Sequence, residues 1–239
     1  MITIRRSGER GHFDHGWLNT YHTFSFAGYL DPSHMPYGFR ALRVLNDDRV
    51  GPGRGFGAHA HRDMEILTYV LDGRLAHKDS MGEQHVFGVN MIQTMSAGTG
   101  VIHSEFNASE TEPVRFLQIW IEPAVADIDP SYQQIPFAPD EKHNRFRLLA
   151  SQGATNQKEN AAVIHQDAVI YAVELDPGRE LWHPLALGRY AWVQVARGNI
   201  VLNGESLGEG DGAAISEESD LAFSGKGSNA AEFLLFDLA

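Results

Sequence analysis

The chain contains no cysteine. This absence excludes disulfide bonds, thiolate metal sites and cysteine nucleophiles, so that any metal must be held by imidazole and carboxylate groups. Basic residues are also scarce, because 19 Lys and Arg stand against 31 Asp and Glu, which gives a net charge of −12. Nucleic-acid binding needs a basic patch for the phosphate backbone, and no Lys/Arg cluster is present. We therefore expect no direct nucleic-acid binding.

Long apolar runs are missing as well. A membrane-spanning helix needs about 18 or more consecutive apolar residues, and the sequence has no such run. The first residues, MITIRRSGERGHFDHG, contain arginines but not the apolar segment of a signal peptide. We expect a soluble, cytoplasmic protein without a membrane partner. With 239 residues, 43% of them hydrophobic, the chain is long enough for two modest domains, each with its own core.

Helical periodicity is hard to find, and short runs rich in β-branched, aromatic and aliphatic residues take its place. Glycine, asparagine, aspartate or serine separates these runs, which is typical of a β-sandwich or barrel. The predicted strands are residues 39–46, 64–71, 74–79, 91–95, 100–105 and 114–122 in the first half, and 168–175, 190–196, 199–204, 212–216, 221–224 and 231–238 in the second. The predicted fold class is all-β.

The two halves of the chain repeat one plan. YVLDGRLAHKDSMGEQHVFG (69–88) and QVARGNIVLNGESLGEGDG (194–212) each alternate strands with glycine turns. Between the halves, residues 122–144 hold four prolines and little strand pattern. We therefore predict two tandem domains, 1–125 and 145–239, joined by a linker over 126–144.

Histidine is abundant and unevenly distributed, with nine of 12 in the first 105 residues. His59 and His61 stand one residue apart in GFGAHAHRDMEILTYVLDG (55–73), and His103 and Glu105 have the same spacing in SAGTGVIHSEF (96–106). Residues i and i+2 of a strand share a face, so the two side chains of each pair can coordinate the same ion. Two such pairs on adjacent strands would offer four ligands to a divalent cation, a donor set that suits iron, manganese, nickel, copper or zinc.

Glycines stand before both pairs: Gly53, Gly55 and Gly57 before the first, and Gly98 and Gly100 before the second. We expect them to turn the backbone tightly at a barrel rim.

Glu65 is an even number of residues from His59 and His61, so on an unbroken strand its side chain shares their face. We call this relationship the same parity. It can be a fourth ligand, a residue that supports the ligands, or an ion-pairing residue at the other end of the barrel. Parity alone leaves the choice between Glu65 and Glu105 open. We interpret Asp63, His77 and Asp79 as residues of a solvated face.

The second half lacks a His-x-His motif, and its His183 has no histidine or acid at metal-ligand spacing. We expect His183 to have a core role, and His143 and His165 to lie at the surface.

The motifs GFGAHAHRDMEILTYVLDG and MSAGTGVIHSEFN (95–107) closely resemble the two metal motifs of the pirin family, within the bicupin superfamily. RGHFDHGWLNTYHTFSFAGYLDP (10–32) is similar to the opening segment of bacterial pirin-like proteins, and LQIWIEP (117–123) to the strand that closes their first cupin. The likeness is specific over about residues 1–125 and looser from there to the C-terminus.

The resemblance implies two tandem cupin domains with a jelly-roll fold, of which the first carries one divalent cation and the second is degenerate. Transferred to this sequence, the metal ligands are His59, His61, His103 and Glu105, and Glu65 becomes a supporting residue. Iron is the first expectation for the metal, with nickel, manganese, copper, zinc and cobalt as alternatives.

Some bacterial pirin-like proteins open the heterocycle of flavonols such as quercetin with dioxygen and release carbon monoxide. The resemblance therefore implies a metal-dependent dioxygenase that takes a flavonol-like aromatic substrate and O2. The metal would lower the pKa of the flavonol 3-hydroxyl, and Glu105 would be the catalytic residue that accepts the proton. Candidate pocket residues are Phe24, Phe26, Phe56 and Met95, each of which a core role also explains.

Two alternatives stay open at this point. One is a metal-containing regulatory protein of the pirin type, which has a protein partner and no catalysis of its own. The other is a cupin isomerase acting on a sugar phosphate, which needs a basic anion pocket. Its candidate arginines, Arg40, Arg43, Arg54 and Arg62, are not clustered in the sequence.

Overall fold

The structure is a computed structural model that describes residues 1–25, 37–153 and 160–239. Two compact units can be distinguished in it. The first unit comprises residues 11–136 and 162–166, and the second unit comprises residues 1–10, 137–161 and 167–239. Apart from two short 3-10 helices, Ser7–Glu9 and Pro139–Glu141, the regular elements of the described residues are all strands. No helix in the described ranges is long and apolar enough to cross a membrane.

The first unit contains two antiparallel sheets and one short additional strand. The larger sheet has the order β12-β9-β6-β11-β4-β3-β2 and the smaller one β5-β10-β7-β8. The strands are β2 (Gly11–Asp14), β3 (Leu18–His22), β4 (Leu42–Val50), β5 (Gly55–His61), β6 (Glu65–Asp72), β7 (Arg74–Asp79), β8 (Gln84–Gly88), β9 (Met91–Ser96), β10 (Val101–Asn107), β11 (Val114–Ile121), β12 (Ser131–Pro136) and β14 (Ala162–Ile164).

The second unit repeats this plan. Its larger sheet contains the order β1-β20-β17-β22-β15-β13 and its smaller sheet the order β16-β21-β18-β19. The strands are β1 (Ile2–Arg5), β13 (Arg147–Gln152), β15 (Ala168–Leu175), β16 (Glu180–Pro184), β17 (Tyr190–Arg197), β18 (Asn199–Leu202), β19 (Glu205–Gly208), β20 (Gly212–Ile215), β21 (Asp220–Lys226) and β22 (Ala231–Leu238).

Corresponding glycines turn the chain in both units. Gly73 lies between β6 and β7 with φ of 77°, and Gly198 lies between β17 and β18 with φ of 71°. A side chain at either position would press on the backbone of the strand that enters next to it, at Val114 or Ala231. Only glycine combines this φ with that close approach. The repeat seen in the sequence is therefore a repeat of structure, and the prediction of an all-β chain with two similar domains is confirmed.

The compact units differ from the predicted domain bounds, since residues 162–166 of the predicted second domain belong to the first unit. Two further differences involve strands β12 and β1. Residues 131–136 form strand β12, paired with β9, although they belong to the predicted linker. Prolines obscured this strand, but β12 lies at the edge of its sheet, where a missing N–H is tolerated. Residues 1–10 belong to the second unit, because Ile2 pairs with Ile215. The pattern of β1 itself contains nothing that specifies so distant a partner.

The core of the first unit lies beside its smaller sheet. Leu75, Phe87 and Phe116 are almost completely buried and pack in one cluster. Burying one such side chain stabilises the fold by roughly 1.5–3 kcal/mol. A second cluster contains Ile66, Met95 and Val101. These clusters hold β6, β7 and β10 in place and thereby support the side chains that the smaller sheet presents.

Candidate metal centre

Strand β10 alternates strictly between buried and accessible residues. Val101, His103, Glu105 and Asn107 are buried, and the residues between them are at least partly exposed. This is the period of two that places i and i+2 on one face. His103 and Glu105 therefore point into the first unit together, as the sequence predicted.

Strand β5 brings His59 and His61 beside them. The register places His59 opposite His103, and a bulge follows, because Glu105 lies opposite Phe56. The β5 side of the bulge holds Gly57 and Ala58, one residue more than β10. Bulges re-aim side chains next to functional sites. Here the extra residue lets Phe56 line the same cavity as His59 and His61, although Phe56 is an odd number of residues away from them.

The glycines before the motifs have different roles. Gly53, Gly98 and Gly100 have positive φ values of 62°, 43° and 136°, so the predicted turns are present there. Gly55 lies within β5 instead. A Cβ at this position would come within 2.2 Å of the Glu105 carbonyl oxygen. The strands β5 and β10 can approach this closely only because residue 55 has no side chain. Gly57 also lies within β5, and its Cβ position is open.

The three imidazole rings form one cluster. The ring centroids of His59 and His103 are 4.4 Å apart, and both are 4.8 Å from that of His61. Their nearest ring nitrogens lie within 4.8 Å of one another, as required of three groups that can share one ion. His59 Nδ1 donates to the Gly57 carbonyl oxygen at 2.8 Å, which leaves the lone pair of Nε2 free. The described residues thus hold a triad that can bind a metal.

Several buried nitrogens of this cluster have no hydrogen-bond partner among the described residues: His61 Nε2 and both ring nitrogens of His103. An unsatisfied buried polar atom costs about 1–3 kcal/mol, so an unpaired group of this kind calls for an explanation. Burial and the neighbouring imidazoles lower the pKa of His103 to about 2 and that of His61 to about 4. Neutral rings with free lone pairs are what a cation requires. The donor atoms present therefore fit a divalent metal.

Glu105 is the carboxylate among the four predicted ligands. It is only 3% exposed and has no ion pair with a cationic side chain in the described part of the chain. Burial, together with the charge of Asp48, raises the pKa of Glu105 to about 7, although a hydrogen bond from Thr68 opposes the shift. Thr68 Oγ1 lies 3.4 Å from Glu105 Oε1. A buried carboxylate without a cation is a group that a bound metal would stabilise.

His77 and Asp79 correct the sequence interpretation. The sequence predicts a solvated face for both, but they are 1% and 8% exposed, and His77 Nε2 lies 2.9 Å from Asp79 Oδ2. His77, His103 and Glu105 form a second group of potential ligand atoms within 4.8 Å, which shares His103 with the triad. The signal that could have found His77 is its parity with Leu75, which predicts an inward side chain on β7.

Glu65 lies elsewhere in the first unit, in neither of the two ligand groups found among the described residues. Its Oε2 accepts a hydrogen bond from Ser96 at 2.7 Å, and its Oε1 lies 3.1 Å from His165 Nδ1. Burial raises the pKa of Glu65 against these contacts. Of the three roles open to it, the ion-pairing one agrees with these contacts. His165 is accordingly half-buried rather than a plain surface residue. His143 is exposed, as predicted.

A cavity of about 220 Å³ opens beside the triad. Its wall contains His59, His61, Glu105, Phe56, Trp120, Gln118, Asn46 and Asp48. The indole of Trp120 meets the His61 ring edge-on at a centroid distance of 4.8 Å. No Lys or Arg contributes to this wall as far as the chain is described, which disfavours the isomerase alternative. The aromatic lining suits a planar apolar ligand.

The predicted pocket residues lie in different parts of the structure. Phe56 lines the cavity, whereas Phe24 and Met95 are 1% and 0% exposed and belong to the core. Phe26 lies outside the described residues. Asn46 and Asp48 were missed, because polar residues in a strand are usually taken for its exposed face.

The second unit has no comparable cluster among the residues described. In its smaller sheet β16 and β21 occupy the places of β5 and β10, and His183 of β16 lies opposite Leu221. Leu221 and Phe223 are buried and belong to the apolar core. His183 Nε2 lies 3.3 Å from Asp237 Oδ2 instead. The expected core role of His183 agrees with this contact.

Comparisons with known proteins agree with this architecture. Residues 3–121 match the family model described as Pirin, and residues 148–238 match that of the quercetinase C-terminal cupin domain. The chain is 45% identical to quercetin 2,3-dioxygenase of Escherichia coli strain K12, over 100% of this chain and 99% of that protein. It is 38% identical to a pirin-like protein of Caulobacter vibrioides, over the full length of both.

Solved structures give the same relationship. The crystal structure of the bacterial pirin YhhW from Escherichia coli in complex with nickel(II) matches with a TM-score of 0.91 and 43% identity, over 100% of this chain and 99% of that one. Quercetin 2,3-dioxygenase of Acinetobacter baumannii matches with a TM-score of 0.78 at 22% identity, over 98% of this chain and 85% of that one, which supports the fold alone. Both domains are therefore cupin domains, and the chain belongs to the pirin family.

Proposed function

We propose that this chain is a metal-dependent dioxygenase that opens a flavonol-type ring with O2, using one divalent cation held by His59, His61, His103 and Glu105. The observation that carries the proposal is the juxtaposition of three neutral imidazoles with a buried carboxylate at the wall of an aromatic cavity. Relatives that align over the whole chain are named quercetin 2,3-dioxygenase, and a relative of known structure binds nickel(II). Both facts support the proposal.

The identity of the cation is part of the proposal. Three imidazole nitrogens and one carboxylate oxygen suit iron, which we propose first, and equally nickel, manganese, copper, zinc or cobalt. When bound, such a cation supplies Lewis acidity that favours the ionised form of a coordinated hydroxyl group. His77 is the competing ligand: Asp79 engages its Nε2, but its buried Nδ1 has no hydrogen-bond partner among the described residues. We place the ion at the triad because His59, His61 and His103 bring three imidazoles together without His77.

The chain's own residues bind and orient the substrate in this proposal. Phe56 and Trp120 form apolar walls that receive a planar ring and keep water away from it. Glu105 accepts the proton of the flavonol 3-hydroxyl at Oε2, because its Oε1 faces the Thr68 hydroxyl, which Gln118 Oε1 holds in place at 3.1 Å. A catalytic base needs such orientation before its basicity matters.

The test is oxygen-dependent bleaching of quercetin by protein loaded with iron, nickel or manganese. We expect loss of the flavonol absorbance in air, with O2 uptake and carbon monoxide release, and none under anaerobic conditions. His59→Ala should abolish the reaction, and His143→Ala, which removes an exposed histidine of the second unit, should leave it unchanged. Absence of bleaching with all three metals would contradict the dioxygenase and favour the regulatory protein with a protein partner.

A further inference from the structure

A second cavity adjoins the one at the metal centre. It measures about 160 Å³ and is lined by Phe13, His15, Leu18, Thr20, His22, Asn46, Asp48 and Phe56. Asn46, Asp48 and Phe56 belong to the walls of both cavities, so the two spaces meet at these three residues. None of the proposed metal ligands lines this second cavity, which we call the side cavity.

Strand pairing builds the polar wall of the side cavity. Thr20 lies opposite Asp48, and His22 lies opposite Asn46, in the antiparallel pair of β3 and β4. Because each strand contributes residues two apart, all four side chains share one face. The neighbouring acid, Asp47, belongs to the other face, where it pairs with Arg115 through two hydrogen bonds of 2.9 and 2.8 Å. The polar wall is thus a built feature of the sheet.

This wall offers hydrogen-bond acceptors that the protein does not use. Asn46 is 6% exposed, and its Oδ1 has no hydrogen-bond partner among the described residues. The Thr20 hydroxyl donates to Asp48 Oδ1. In the described part of the chain Asp48 Oδ2 receives no hydrogen bond and no cation. Buried acceptors of this kind normally have a donor, and a ligand can provide it.

The other residues of the side cavity determine which kind of ligand can supply the hydrogen-bond donor. Phe13, Leu18 and Phe56 supply apolar surface, and the Phe13 ring lies 5.3 Å from that of His22. Burial lowers the pKa of His22 to about 4, so this imidazole is neutral at pH 7 and does not attract an anion. A dry cavity of about 150 Å³ is known to hold one benzene ring. The side cavity therefore has the size and the acceptors for one hydroxylated aromatic ring.

We propose that the side cavity is a subsite for a hydroxyl-bearing aromatic ring, of which one hydroxyl group donates to Asn46 Oδ1 and a second forms a hydrogen bond with Asp48 Oδ2. The inference rests on the proposed function, because it places the rest of the substrate at the metal centre. The pendant phenyl ring of a flavonol is attached to the carbon next to the one that bears the 3-hydroxyl. With that hydroxyl at the metal ligands, the pendant ring reaches the neighbouring cavity.

The test compares anaerobic binding of quercetin with that of galangin, a flavonol that lacks only the hydroxyls of the pendant ring. We expect metal-loaded protein to bind quercetin about tenfold more tightly than galangin, because one or two buried hydrogen bonds contribute a binding free energy of that size. Asn46→Leu should weaken quercetin binding about tenfold and change galangin binding less than twofold. The matched control is Gln118→Leu, a similar replacement in the metal-side cavity alone, which should leave the preference unchanged.

A second variant covers the case in which Asn46→Leu does not fold. Thr20→Val/Asp48→Leu replaces a buried hydrogen-bonded pair by apolar groups of similar shape, a change that folds often tolerate. It should also remove the preference for quercetin. Equal binding of the two flavonols by the wild type, or an intact preference in these variants, would overturn the subsite.

The two proposals fail in different ways. Turnover of both flavonols without any preference would remove the subsite and leave the dioxygenase standing. A preference in binding without oxygen-dependent turnover would do the opposite. If neither flavonol binds, the subsite is wrong.

Discussion

His103 lies directly opposite His59 in the antiparallel pair of β5 and β10, and their ring centroids are 4.4 Å apart. The two residues are far apart in the sequence, so the site exists only because the register is correct. A shift by one residue would turn His103 and Glu105 to the outer face of the sheet. The bulge and Gly55 are the local features that maintain this register.

The first prediction concerns metal content. His59→Ala or His103→Ala should lower metal affinity at least 100-fold, because loss of a residue that merely supports a ligand already costs about 10–100-fold. We expect about one divalent ion per wild-type chain by elemental analysis. Added metal should raise the unfolding free energy of the wild type by about 2.7 kcal/mol at a hundred times its Kd, and should raise that of the variants by at most about 0.4 kcal/mol at the same concentration. Full occupancy in the His59→Ala/His103→Ala double variant would contradict the site.

The second prediction separates His77 from the ligands. His77→Ala should keep the metal, because it leaves the triad of His59, His61 and His103 complete. It should lower the unfolding free energy by about 2–4 kcal/mol, since the change opens a cavity and leaves a buried carboxylate with one contact fewer. Elemental analysis and denaturant unfolding measure the two effects. If His77→Ala loses metal as completely as His103→Ala, the ion binds to the group of His77, His103 and Glu105 instead.

Strand positions and the two histidine pairs could be predicted from local pattern. Residues 74–79 and 168–175 form strands with the predicted bounds, since alternation along a strand and the turn residues that end it are local properties. Glu65 could not be assigned, because parity gives the face of a strand and not the neighbours on that face. Its partner His165 is distant in the sequence, and only the folded structure brings the two together.

His77, Asn46 and Asp48 show a second limit. A hydrophobic pattern predicts that polar residues are solvated, because most polar residues are exposed. The exceptions gather where a fold surrounds a ligand, and there the hydrophobic pattern fails for a functional reason. Inward parity at a polar residue is therefore the signal to look for in such sequences.

The third prediction is a pH dependence at Asp48. Burial raises the pKa of Asp48 to about 7, with a further contribution from Asp47 and against the Thr20 hydrogen bond. Between the unfolded value of 3.8 and about 7, the unfolded chain releases this proton while the folded protein keeps it. The contribution of Asp48 to the unfolding free energy therefore falls as the pH rises through that window.

In metal-free protein, Asp48→Asn should consequently gain stability relative to the wild type between pH 4 and pH 8, by roughly 2–4 kcal/mol. Urea unfolding across this range measures the difference. The exposed Asp140→Asn is the control and should show no such trend. A difference between wild type and Asp48→Asn that does not change with pH would mean that Asp48 is ionised in the fold throughout.

The fourth prediction uses two glycines of one strand. Gly55→Ala should destabilise the first unit by at least about 2 kcal/mol, because the new Cβ would meet the Glu105 carbonyl oxygen at 2.2 Å and Phe106 Cα at 2.5 Å. These are backbone contacts, so β5 and β10 must separate, and His59 and Glu105 move apart with them. Gly57→Ala adds the same methyl group where nothing lies within 4 Å, and it should cost less than about 0.5 kcal/mol. Thermal unfolding and metal titration of both variants test this, and equal metal affinity in the two would show that close approach of the strands is not what assembles the site.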